Sequence, residues 1–220
     1  MNYFSHYYFD HIPGEADHNF GLSFPDLVRN FIRGKRLKPP HPSAPQFEKY
    51  PLLSQGTQKH FTRDTQFHGS EFFKTTEEKL NRLLQPVFQS LEIGRYWFAS
   101  HLLAEMMLDR VLMKKHPQLL DNYYLDLQNA NQNAIADYLH LSEITDQDPF
   151  FERMERFASS QYLRQYVHDP ALIFSLNRIY IFTGAGSEWS KEQYTELQNT
   201  IPQAESIIFE SLDHLMLEMK

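Results

Sequence analysis

The chain has 220 residues, 41% of them hydrophobic and 15% aromatic, which is enough for one domain with a substantial core and too apolar for a disordered chain. Its formal net charge is -7, from 21 basic and 28 acidic residues, and this argues against a general nucleic-acid binder, whose footprint would be basic. With no cysteine, disulfides, thiolate nucleophiles, Cys-ligated zinc and iron–sulfur clusters are excluded, so any metal site must use histidine and carboxylates.

Residues 1–12 carry Tyr3, Phe4, Tyr7, Tyr8 and Phe9 around His6, a packed opening that Pro13 and Gly14 turn away. No basic region followed by a long apolar stretch opens the chain, and no later run approaches ~18 apolar residues, so a soluble cytoplasmic protein without a membrane span is expected. From Pro25 to Ile32 the order Asp26, Leu27, Val28, Phe31, Ile32 has a helical period, with Asp26 at the start of the helix. Arg33, Lys35, Arg36 and Lys38 are then followed by four prolines, which predicts an exposed basic loop over 33–47 in an otherwise acidic protein.

A helix is expected to begin near Ser54 to Thr57 and to end at Gly69. Thr75 to Glu78 reads as a capping box ahead of Leu80, Leu83, Leu84, Val87 and Phe88. Further helices are predicted over 95–116, stopped by Pro117, and over 119–141, whose centre at 128–133 is polar. Asp148-Pro149 and Asp169-Pro170 each place a proline at the first helical position after an aspartate cap, the first helix running on through Tyr162 and Tyr166. Ser190 caps a last amphipathic segment interrupted at Pro202. With no alternating β pattern, the expected fold is all-α, a single-domain bundle of about seven to eight helices.

Within this frame, His60, Asp64 and His68 recur at a spacing of four and fall within roughly 80° of one another on a helix. His101, Glu105 and Asp109 repeat the pattern among Leu, Met and Ala. Two such stripes facing each other would make a site. Imidazoles and carboxylates without thiolates suit Mn²⁺, Mg²⁺, Fe²⁺ or Zn²⁺, and phosphodiester hydrolysis is the natural use of such an ion.

With these residues in view, the chain resembles the acyl carrier protein phosphodiesterase family, all-helical relatives of the HD-type metal phosphohydrolases. Met1-Asn2-Tyr3-Phe4-Ser5-His6 is similar to the family's Met-Asn-Phe-Leu-Ala-His start, and Gly21 to Arg29 to its Gly-Asn-x-x-x-Asp-Phe-Val-Lys/Arg segment. His60 and Asp64 match its His-x-x-x-Asp, the run Glu105 to Leu112 its Asp-x-x-x-Asp-His-Phe-Leu, and Tyr162, Tyr166, Leu176 and Asn177 echo later positions. The family removes the 4′-phosphopantetheine arm from holo acyl carrier protein with a divalent metal, commonly manganese.

The resemblance implies His6, Asp26, His60, Asp64 and Asp109 at or near such a metal, with Asp26, His60, Asp64 and Asp109 catalytic, and an acidic carrier protein as partner for Arg33, Lys35, Arg36 and Lys38. The pattern departs at Leu22, His68, Glu105 and Arg110, which stand where the family has Asn, an acidic residue, Asp and His. Glu105 and His68 can still ligate, and His101 remains a further candidate. Arg110 cannot, because a guanidinium only donates. It either holds a phosphate or marks a relative with altered chemistry that serves as a helical carrier-protein-binding module.

Overall fold

Proline is placed at the first or second position of seven helices, where its missing N–H costs nothing, and it sets much of the segmentation of this chain. The computed structural model describes residues 1–220 and contains no strand. Its α-helices are α1 (Tyr3–Asp10), α2 (Ala16–Gly21), α3 (Phe24–Phe31), α4 (Pro45–Lys49), α5 (Pro51–Gly69), α6 (Glu71–Ser90), α7 (Tyr96–Lys115), α8 (Pro117–Asn129), α9 (Gln132–Leu141), α10 (Asp148–Ser160), α11 (Asp169–Phe182), α12 (Lys191–Gln198) and α13 (Ile201–Glu218), with a 3₁₀ turn at Tyr162–Val167. The fold is all-α, as the periodicity predicts. Eight of the thirteen helices have ten residues or more, and the five short ones account for the difference from the expected seven or eight.

Several boundaries move for local reasons. α6 starts at Glu71 because the Ser70 hydroxyl accepts the Phe73 N–H, while Thr75 turns its hydroxyl back to the Glu71 carbonyl instead of capping. The helix expected over 119–141 breaks at Ala130, and Asn131 caps α9 by accepting the Ala134 N–H. Asp148 and Asp169 are the first residues of α10 and α11, and the cap positions belong to Gln147 and His168. Gln161, left-handed at φ 47°, stops α10 before Tyr162. Ser190 forms the expected capping interaction, reciprocated by the Gln193 side chain.

Contacts gather the chain into two compact units, Met1–Thr65 with His116–Tyr162, and Gln66–Lys115 with Leu163–Lys220. In the first, an aromatic core of Phe4, Tyr7, Phe20, Phe24, Tyr123 and Phe150 is fully buried. Asp126 on α8 ties α1 and α2 together by accepting from the Tyr7 hydroxyl at 2.7 Å and the Asn19 amide at 2.8 Å. Arg63 on α5 grips Asp10 at the end of α1 through two nitrogens, at 2.7 and 2.5 Å. α2 and α5 touch backbone to backbone, since a Cβ built on Gly56 would stand 2.0 Å from the His18 carbonyl oxygen and one on Gly21 would stand 2.6 Å from that of Leu53. Only glycine at both positions permits the contact.

The second unit packs α6, α7 and α13 on one another and α11 and α12 beside them. Trp189 sits in edge contact with Phe88 and tilted against Tyr180. No helix of either unit is long and apolar enough to cross a membrane. Arg33, Lys35, Arg36 and Lys38 are exposed as expected, with Leu37 buried between them, and the loop ends where α4 begins at Pro45.

Candidate metal centres

Three ligand-type side chains of the first unit converge: His6 from α1, Asp26 from the first turn of α3 and His60 from α5 have donor atoms all within 4.8 Å of one another. His6 is completely buried and His60 nearly so. Their rings stack with centroids 4.0 Å apart. His60 Nδ1 lies 2.8 Å from the Leu22 carbonyl oxygen. A carbonyl only accepts, so Nδ1 donates and Nε2 is the ring atom left to face a ligand, which is how ligating histidines are commonly held.

The glycine contact between α2 and α5 explains this placement. His60 lies one turn beyond Gly56, on the same face of α5, and Leu22 directly follows Gly21. The close crossing therefore brings the imidazole to the carbonyl. The Leu22 side chain does not enter this bond.

Asp64 lies alongside, its Oδ1 3.9 Å from His6 Nε2 and 2.6 Å from the Met1 nitrogen. Its side chain is 38% exposed, in contrast to the fully buried His6. Asp109 is fully buried on α7 and belongs to the second unit. The stripe read from α5 thus divides, with His60 and Asp64 in the first unit and His68 in the second.

His68 has its own partners there. Its Nε2 is 3.1 Å from Glu105 Oε1, and His101 Nε2 is 3.5 Å from the same oxygen. His101 Nδ1 is 3.1 Å from Glu77 Oε1 on α6. The two imidazoles are nearly parallel at 5.2 Å, and the Phe73 ring meets each edge-on. Burial disfavours charge on both His101 and Glu105. Even so, the facing carboxylates raise His101 above its ordinary value, while nearby positive charge and hydrogen bonds from His101 and His68 hold Glu105 well below the usual carboxylate range.

No protein-family model, curated protein or solved structure matches the chain. The chemistry of each cluster has to be read from its own residues.

Arg110 belongs to neither cluster. Its guanidinium donates to the Tyr166 carbonyl at 2.9 Å, to Asp169 Oδ1 at 2.5 Å and to Glu205 Oε2 at 3.2 Å, all within the second unit. Spacing gave no sign of Gly21, Gly56 or Glu77 as parts of these sites. An isolated glycine four residues before a histidine, inside a helical pattern, was the one available signal for Gly56.

Proposed function

We propose that the first unit is a divalent-metal phosphodiesterase of the acyl carrier protein phosphodiesterase type, with manganese as the preferred ion and an HD-like ligand arrangement. The observation that carries this reading is the convergence of His6, Asp26 and His60 within 4.8 Å, with His60 Nδ1 already engaged by Leu22. Two imidazoles and a carboxylate fit such an ion. When bound, it supplies charge neutralisation at a phosphoryl oxygen and a water of lowered pKa.

The chain's own groups do the rest. His6 and His60, stacked and buried, present their nitrogens in a fixed orientation, while Asp26 balances the charge. Asp64, part-exposed beside His6, accepts a proton from the attacking water. The water oxygen joins phosphorus, and the serine oxygen of the carrier protein leaves with the phosphorus–oxygen bond and takes a proton from solvent. The exposed Arg36 and Lys38 line a cleft of about 280 Å³ with Pro39, Pro40 and His41, a surface that with the exposed Arg33 and Lys35 of the same loop is suited to an acidic carrier protein.

Purified protein incubated with Mn²⁺ and holo carrier protein, with the carrier followed by mass spectrometry, tests the proposal. Release of the arm is expected only with metal. His60→Ala and Asp64→Ala should each reduce it by about 100-fold or more while leaving the helical circular dichroism in place. Carrier protein that binds but stays intact would replace the enzymatic reading with a binding module. A Charge reversal at Arg36 and Lys38 is expected to weaken carrier-protein binding chiefly through the association rate, and more so at low salt, which stopped-flow mixing would read.

A further inference from the structure

The second unit holds a further set of donors that the phosphodiesterase reading does not use. We propose that His68, His101 and Glu105 form a zinc-class divalent cation site of their own, with Glu77 as the residue that positions His101. His68 comes from the last turn of α5, Glu77 from α6, and His101 and Glu105 from successive turns of α7, so a bound ion would join three helices.

Distances favour this. A tetrahedral ion with bonds of ~2.0–2.1 Å has ligand atoms about 3.3 Å apart along each edge. The two edges running to Glu105 Oε1 measure 3.1 and 3.5 Å. Both imidazoles therefore aim their Nε2 atoms at one carboxylate oxygen with the spacing a small cation needs. The orientation is fixed before any ion arrives, since Phe73 packs edge-on to both rings and Glu77 accepts from His101 Nδ1. A carboxylate on the distal nitrogen of a ligating histidine sets its tautomer and raises its basicity.

Access is present as well, because His68 and His101 are 30% and 33% exposed and Glu105 16%. Three protein ligands leave a fourth position for water or an anion. Among divalent ions, two imidazoles and one carboxylate bind Zn²⁺ more tightly than Mn²⁺, which makes Zn²⁺ the ion to test at this site.

The test is Zn²⁺ and Co²⁺ titration of the full chain, read by a competing chelator dye and by the visible absorption of bound Co²⁺, with thermal unfolding followed in parallel. Wild-type protein should take up Zn²⁺ with a rising melting temperature and show the intense visible bands of four- or five-coordinate Co²⁺. His101→Asn should take up one equivalent of Zn²⁺ less than wild type and lose the matching share of the Co²⁺ bands. Glu77→Gln should weaken Zn²⁺ roughly 10–100-fold without abolishing it. His60→Ala should retain the equivalent that His101→Asn loses, which distinguishes the two sets of ligands. Unchanged Zn²⁺ uptake in folded His101→Asn would overturn the proposal, as would loss of all uptake in His60→Ala. Should His101→Asn fail to fold, Glu105→Gln, nearly isosteric, takes its place with the same two outcomes.

Discussion

Replacing Gly56 by alanine is expected to destabilise the first unit by about 2 kcal/mol or more and to weaken its metal binding at the same time. The added Cβ would stand 2.0 Å from the His18 carbonyl oxygen, 2.9 Å from its carbon and 3.0 Å from the Gly21 Cα. All of these are backbone atoms, so no rotamer change relieves the clash, and α2 must move away from α5. That motion lengthens the 2.8 Å bond between His60 Nδ1 and the Leu22 carbonyl, one turn further along, and releases the ring. Helix propensity runs the other way, since alanine is favoured over glycine by about 1 kcal/mol in a helix interior. The sign of the change therefore decides between a packing glycine and an incidental one. Urea unfolding with Mn²⁺ titration of the same samples measures both effects. A variant as stable as wild type, with unaltered Mn²⁺ affinity, would show that the crossing does not position His60.

The long helices were legible because their apolar period and their Pro, Ser and Gly signals agree. Their ends were not, wherever two residues competed for one task. Ser70 won the cap of α6 over Thr75, and the polar run at 128–133 became a break at Ala130 that a wheel cannot show. The metal-type residues were legible as types and as neighbours along one helix. A spacing of four says that His60, Asp64 and His68 share a face, but which partners each meets depends on segments distant in sequence. His60 meets Leu22 and stacks on His6, whereas His68 meets Glu105. Glycines 21 and 56 carry no chemistry of their own, so nothing in either segment announces the other. The same limit explains Arg110, whose position beside Asp109 invites a phosphate role, while its actual partners come from α11, α13 and the turn before α11.

Arg110→Ala should therefore act on stability rather than on chemistry, lowering it by about 3 kcal/mol, the low end for breaking a buried pair, because its carboxylate partners are partly solvated. The Arg110 side chain is only 5% exposed, whereas Asp169 and Glu205 are 39% and 25% exposed. For a chain of this length the loss corresponds to roughly 6–12 °C in melting temperature. Arg110→Lys should recover part of it, since an ammonium supplies charge but not a planar fork that reaches Tyr166, Asp169 and Glu205 together. The pH dependence has a definite sign. Burial opposes ionisation of Glu205, yet Lys114 and Arg110 hold its pKa below the ordinary value of 4.5. A carboxyl whose folded pKa is depressed contributes its stability above the unfolded value and loses it as the pH falls through the folded one. The difference between wild type and Arg110→Ala should thus be full at neutral pH and shrink below pH 4.5, as unfolding midpoints measured across that range would show. A variant of unchanged stability that had lost Mn²⁺-dependent hydrolysis would instead return Arg110 to the phosphate.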